Sequence, residues 1–101
     1  MFPGIFIKPW KVIRMYLRQP FSYIRFLNAV PDIMPVDIYA NRSLVARGLP
    51  YKGFTEYMQV FPGIYDMTVF AAGTTGPVLL ESVIEIPVRS INTVVLMGTP
   101  Q

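Results

Sequence analysis

The chain has 101 residues, of which 52% are apolar and 15% are charged. This length fits one domain with a modest core, and the composition argues against intrinsic disorder, because disordered chains are poor in apolar residues and rich in charge. The chain has no cysteine and no histidine, which removes disulfides, thiolate metal sites and the commonest general base. We therefore expect no enzymatic activity and no cofactor.

Positive charge is concentrated near the N-terminus. Residues 1–20 contain four bases and no acid, whereas residues 21–101 contain five bases and six acids. No apolar run reaches the roughly 18 residues that a membrane-spanning helix needs, and Pro3 and Pro9 interrupt the apolar segment that a signal peptide requires. We expect an N-terminal arm over residues 1–20, a domain over residues 21–101, no transmembrane segment and no recognisable signal peptide.

The arm is compatible with two conformations. On a helix, Trp10, Ile13 and Leu17 would share one face, as the 3.6-residue period requires. Its β-branched and aromatic residues, and the flanking Pro9 and Pro20, favour an extended strand instead. We predict an extended arm that contacts a neighbouring subunit through apolar residues. These are Ile5, Phe6, Ile7, Trp10, Val12, Ile13, Met15, Tyr16 and Leu17.

The rest of the chain alternates between short strands and turns. Apolar residues recur at every second position in seven segments, as in half-buried strands, and Asn41-Arg42 and Pro62-Gly63 have the composition of tight turns. The last segment is mostly apolar, which is typical of a strand buried on both faces. The predicted strands cover residues 23–27, 36–40, 43–47, 54–60, 64–70, 78–86 and 91–97. Seven such strands predict an all-β, antiparallel sandwich with an extended N-terminal arm.

Residues 24–39 form a strand, a proline-bracketed turn and a second strand with a distinctive composition. The residues that form the recognisable pattern are Arg25, Ala29, Pro31, Asp32, Pro35, Val36, Asp37, Ile38 and Tyr39, followed later by Tyr57 and the Ala72-Gly73-Thr74 loop. On these residues the chain resembles the family called domain of unknown function 4397, over roughly residues 22–98. The chain departs from that family at Asn28, where histidine is frequent, at Met34, where a small residue is usual, and at Arg42, where glycine is frequent.

The resemblance implies an immunoglobulin-like or transthyretin-like sandwich of the kind usually found in bacterial surface or envelope proteins. It implies no known reaction. The residues that it marks as family motif or turn positions are Arg25, Pro31, Asp32, Pro35, Asp37 and Tyr39.

Two acidic pairs are candidate sites. Asp32 and Asp37 could be calcium ligands, but we expect Asp32 to bond the turn backbone and Asp37 to pair at the surface with an arginine, Arg25 or Arg47. Glu81 and Glu85 could form a catalytic acid pair, but exposed glutamates on a strand usually protect against stray pairing. The Gly73–Gly76 loop lacks the lysine and the following helix of a phosphate loop.

Aromatic and basic residues suggest binding alternatives. The six tyrosines could form a platform for carbohydrate or protein, although tyrosine is also an ordinary strand residue. The basic arm could bind nucleic acid, but four charges without a recognised fold make this a weak prediction. It could also lie on an anionic membrane if it were an amphipathic helix.

The residues together favour a structural subunit. We expect a non-enzymatic homo-oligomer, in which the arm adds as a strand to the next subunit of a bacterial surface or spore-associated filament or layer. The alternative is an envelope-associated module that binds glycan or protein through exposed tyrosines and loops.

Overall fold

The computed structural model describes residues 5–18, 20–31 and 34–100, with side chains described for residues 10–18, 20–31 and 34–98. These residues form eight strands in two four-stranded sheets, and they contain no helix. The all-β prediction is therefore confirmed. None of the described segments is a helix long and apolar enough to cross a membrane.

Each sheet combines strands that are distant in sequence. Sheet I has the order β1-β8-β2-β5, and sheet II has the order β4-β3-β6-β7. Neighbouring strands are antiparallel except for β2 and β8, which are parallel. The strands are β1 (Ile5–Tyr16), β2 (Ser22–Asn28), β3 (Val36–Ala40), β4 (Ser43–Leu49), β5 (Met58–Val60), β6 (Gly63–Ala71), β7 (Leu80–Ile86) and β8 (Ser90–Pro100).

The predicted count of seven strands differs from the eight observed because the N-terminal arm is itself a strand of sheet I. The arm is extended rather than helical, and β1 pairs with β8 of the same chain. A second difference concerns residues 54–60. Only Met58–Val60 form a strand there, while Phe54 makes an isolated bridge to Leu27.

The core lies between the inner faces of the two sheets. Alternation places Ile24 and Phe26 of β2 inward, where they are buried with Ile38 of β3 and with Val94 and Leu96 of β8. The outward residues of β2 are half-buried. The period of two in the sequence thus produces one shared core from both sheets.

The turn after β3 is the tight turn that its sequence predicts. Asn41 and Arg42 both have left-handed backbone angles, with φ of 47° and 71°, as a two-residue hairpin turn of this kind requires. Asn41 also ties this hairpin to β6, because its N–H donates to the carbonyl oxygen of Asp66 and its Oδ1 accepts from the N–H of Asp66, both at 2.8 Å.

The position of Phe26 in this core can be tested by comparing two phenylalanines. Phe26 is 1% exposed and Phe61 is 85% exposed. We expect Phe26→Ala to lower the free energy of unfolding by about 3–5 kcal/mol, because it removes buried surface and leaves a cavity. Phe61→Ala should change it by less than about 0.5 kcal/mol. Equilibrium denaturation of both variants measures the difference, and equal effects would contradict this core.

Candidate interaction surface

Strand β1 is the edge strand of sheet I and is the longest strand of the described chain. It pairs antiparallel with β8, from Ile5 opposite Pro100 to Tyr16 opposite Ser90, with one irregularity between Ile7 and Trp10. An edge strand presents backbone N–H and C=O groups that a further strand can bond. The predicted interaction residues of the arm therefore lie at the border of the sandwich.

The inner side of β1 is packed into the molecule. Trp10 and Val12 contact the core, and the ring of Trp10 meets that of Phe26 edge to face, with 6.4 Å between centroids. Arg14 donates from Nε to Oδ1 of Asn92 at 2.7 Å and from Nη2 to the carbonyl oxygen of Glu85 at 2.9 Å. β1 thus occupies a groove that has both an apolar and a polar part.

The polar part of the groove is a buried hydrogen-bond network. Asn92 donates from Nδ2 to the carbonyl oxygen of Tyr23 and to Oγ of Ser90, both at 3.0 Å. The hydroxyls of Ser90 and Ser22 both donate to the carbonyl oxygen of Pro87, at 2.7 and 2.6 Å. A buried polar group without a hydrogen-bond partner costs free energy. Arg14 of β1 completes this network because its Nε bonds Oδ1 of Asn92.

The outer side of sheet I is rich in apolar residues. Ile13 and Met15 of β1 are 52% and 59% exposed, and they lie beside Thr93 and Ile91 of β8. A contiguous exposed apolar patch on a monomer marks an interaction surface more often than isolated apolar residues do.

Arg25 is the centre of an aromatic cluster on this outer side. Its guanidinium carbon lies 4.6 Å from the ring centroids of both Phe54 and Tyr57, and its Nε donates to Oγ1 of Thr93 at 3.0 Å. A guanidinium at this distance is attracted by the ring faces. The cluster lies on the outer side of β2 and β8, beside the part of β2 that β5 does not pair with.

Asp37, a predicted motif residue, is buried and not at the surface. It is 5% exposed, and its carboxylate accepts from the N–H of Gly48 at 2.7 Å through Oδ1 and from the N–H of Gly73 at 2.9 Å through Oδ2. Both glycines have positive φ, +60° and +80°, which glycine adopts most readily. The predicted surface pairing of Asp37 with Arg25 or Arg47 is therefore wrong. Asp37 joins β4 to the loop that contains Gly73.

The other motif residues have separate positions. The ring of Tyr39 meets Phe70 edge to face at 5.5 Å on the outer side of sheet II, whereas Arg25 lies on sheet I. The carbonyl oxygen of Pro35 accepts from the N–H of Ala72 at 2.9 Å. Pro31 is in an exposed turn, and Asp32 is outside the described residues. Tyr39 lines a depression on the outer side of sheet II together with Asp37, Arg47 and the loop at residues 72–75. Arg25 is on the other sheet, so the described motif residues do not all converge on one site.

The remaining candidate residues are also dispersed. Glu81 and Glu85 are exposed on β7. Tyr23 and Tyr57 are on sheet I, Tyr39 is on sheet II, and the hydroxyl of Tyr65 donates to the carbonyl oxygen of Phe61. Within the described ranges, no three acidic, histidine or cysteine side chains are grouped as a metal site would require.

The comparisons with known proteins agree with the sequence resemblance. The profile of the family described as "Domain of unknown function (DUF4397)" matches residues 22–101. The chain belongs to the DUF4397 family. The matched DUF4397 segment contains β2 to β8, so β1 lies upstream of it. Searches of curated proteins and of solved structures gave no significant match.

Three residues that hold β1 and Asp37 of this DUF4397 chain in place were not predicted from the sequence. They are Asn92, Ser90 and Gly48. Asn92 and Ser90 alternate with outward residues of β8, and this period placed two polar side chains inside an otherwise apolar strand. That pattern indicated a buried polar network. Gly48 follows the predicted strand at residues 43–47 and lies inside the observed β4. Glycine inside a strand is typical of an irregularity, and the register of β3 and β4 shifts beside it.

The two hydrogen bonds of Asp37 generate a stability prediction. Asp37→Asn replaces one acceptor oxygen by a donor that faces a backbone N–H, so we expect the free energy of unfolding to fall by about 2 kcal/mol. Asp66→Asn is the matched control, since its side chain is exposed, and it should change stability by less than about 0.5 kcal/mol. Chemical denaturation compares the two variants, and an unchanged Asp37→Asn protein would refute the role of this carboxylate.

Proposed function

We propose that this chain is a non-enzymatic structural subunit that assembles by adding its β1 to β8 of a neighbouring subunit. The observation that carries the proposal is the position of β1. It is an edge strand, it lies upstream of the segment matched by the DUF4397 profile, and it is seated in a groove built by that segment. A neighbour's β1 fits the same groove.

Exchange between subunits preserves the contacts of the closed chain. Trp10 and Arg14 of one copy meet Phe26 and Asn92 of the next with the same partners that they have within one chain. Domain swapping of this kind costs little enthalpy because identical contacts form on both sides. What changes is the path of residues 17–21, which connect β1 to β2.

The connection between β1 and β2 is suited to an open form. It contains Pro20, whose fixed φ and missing N–H prevent it from joining a helix interior or a regular ladder. Each copy gives one strand and accepts one, so the contact is head-to-tail, and it produces rings if the rotation closes or open fibres if it does not. We propose a filament or layer on a bacterial cell or spore surface as the assembled form, and the envelope setting comes from the family resemblance.

The proposal includes the finer fold type. In the immunoglobulin constant-type pattern, the first, second, fourth and fifth strands share one sheet. If β2 is taken as the first strand, its sheet contains β5 and β8, whereas β3 and β6 lie in the opposite sheet. This connectivity departs from the immunoglobulin constant-type pattern, and we propose the transthyretin-like form of sandwich, the other form that the family resemblance implies.

The alternative function is recognition of envelope glycan or protein. Tyr51 and Tyr57 are exposed, and exposed aromatic residues can contact sugars or proteins. The ring faces of Tyr57 and Phe54 are shared with Arg25, however, and the tyrosines lie on different faces. We therefore favour assembly by strand exchange over recognition of glycan or protein as the function.

Cysteine cross-linking in trans tests strand exchange directly, because the natural chain has no cysteine. Met15 and Ile91 are partners in the β1–β8 register. We expect that a chain carrying only Met15→Cys, co-expressed with a longer tagged chain carrying only Ile91→Cys, forms a mixed disulfide dimer on oxidation. Disulfides need Cα atoms within about 7 Å, so this product requires β1 of one chain beside β8 of another. Non-reducing gel electrophoresis detects it.

Two controls fix the interpretation of the cross-link. Met15→Cys paired with Val88→Cys places the second thiol at an exposed position outside the strand register, and it should give little mixed dimer. The double variant Met15→Cys/Ile91→Cys reports pairing within one chain. If it yields only intrachain disulfide, and the co-expressed single variants yield no mixed dimer, then β1 stays in its own sandwich and the proposal fails.

A further inference from the structure

The outer side of sheet I is a continuous surface, called face I below. Three rows cross it in register: Lys11, Val95 and Leu27; Ile13, Thr93 and Arg25; Met15, Ile91 and Tyr23. Phe54, Tyr57 and Gln59 extend these rows. Most of its residues are apolar or aromatic, and its charged residues are Lys11 and Arg25, with no acid in any of the described positions.

The outer side of β6 and β7 is a second surface, called face II below. It consists of Ile64, Asp66, Thr68, Phe70, Glu81, Val83 and Glu85. Two of its apolar side chains are strongly exposed, Ile64 at 69% and Val83 at 64%. Each lies beside a carboxylate in the register, Glu85 and Asp66 respectively. Arg42 of the β3–β4 turn borders this face, in the same depression as Asp66, Glu81 and Val83. Face II is therefore apolar with an excess of carboxylates.

Faces I and II lie on opposite sides of the sandwich and have opposite charge. Each combines exposed apolar side chains with an excess of charge of one sign. If face I met a copy of itself, Lys11 and Arg25 would oppose like charges, and two copies of face II would oppose carboxylates. Such juxtapositions cost several kcal/mol and exclude wrong pairings. The charge pattern therefore favours contact between face I of one copy and face II of another.

We propose that face I of one copy packs on face II of a second copy of this chain. The apolar residues supply buried surface at the centre, and Lys11 and Arg25 meet the carboxylates of β6 and β7. Because one molecule carries both faces on opposite sides, the contact is head-to-tail and continues into an open stack.

This contact goes beyond strand exchange, which acts at the edge of sheet I rather than across its face. Face I is complete whether its β1 comes from the same chain or from a neighbour. Exchange extends an assembly within the plane of the sheet, and stacking extends it perpendicular to that plane. Together the two contacts build a layer.

Charge reversal on one face at a time tests the stack. Lys11→Glu/Gln59→Glu makes face I acidic at two exposed positions without removing an apolar residue. Glu81→Lys/Glu85→Lys makes face II basic at two exposed positions. Each variant alone then opposes like charges at every contact, and we expect about tenfold weaker self-association at low ionic strength. Sedimentation velocity over a concentration series measures it, with circular dichroism melting as the check that both variants are folded.

An equimolar mixture of the two variants gives the decisive result. The acidic face I of the first variant meets the basic face II of the second, and the natural face II of the first meets the natural face I of the second. We expect the mixture to associate about as strongly as the natural chain. If the natural chain does not self-associate at low salt, if the single variants associate as strongly as it does, or if mixing restores nothing, face-to-face stacking is wrong.

The two proposals fail in different measurements. The Met15–Ile91 cross-link in trans depends on strand exchange and should persist when it is introduced into the charge variants. Recovery of association on mixing depends on the faces and requires no exchanged strand.

Discussion

The pairing of β1 with β8 is the constraint on which the rest of this structure depends. β8 is apolar on both sides, with Val94 and Leu96 in the core and Val95 toward the outer face. An apolar strand of this kind leaves unpaired backbone groups unless a neighbouring strand covers each of its edges. The segment matched by the DUF4397 profile supplies β2 for one edge, and β1 covers the other edge.

The regular parts of the fold could be predicted because each strand repeats one period. The alternation from residue 36 to 40 predicted a half-buried strand. A strand forms there, but its outward residue Asp37 is buried as well. The apolar run of β8 predicted a strand buried on both faces, and residues 92–96 are buried. The edge at which the arm is bound could not be predicted. An extended segment offers the same backbone hydrogen bonds to any free strand. Among the described side chains of β1, Trp10 and Arg14 specify this position through their contacts with Phe26 and Asn92.

Asp37 shows a different limit of the sequence pattern. Its alternation with Val36 and Ile38 correctly places it on the outer side of β3, where a carboxylate is expected in solvent. The loop that contains Gly73 covers it, and a glycine in β4 donates a second N–H. Strand period gives the direction of a side chain but carries no information about a distant loop that folds over it.

The unequal charge of the chain has a structural meaning beyond the arm. Lys11 and Arg14 of β1 join Arg25 in sheet I. Sheet II carries four acids against one base in its strands, namely Asp37, Asp66, Glu81 and Glu85 against Arg47. The sandwich is therefore electrically polarised from one sheet to the other. Charges arranged in this way favour unlike surfaces in contact and select orientation more than affinity.

Isotope-filtered nuclear magnetic resonance shows whether the β1 position of one subunit receives the strand of another. In a mixture of labelled and unlabelled chains that have been refolded together, contacts between chains are observed separately from contacts within one chain. We expect intermolecular contacts between the side chains of Met15 and Ile91. If these contacts are seen only within one chain, β1 closes its own sandwich and does not connect subunits.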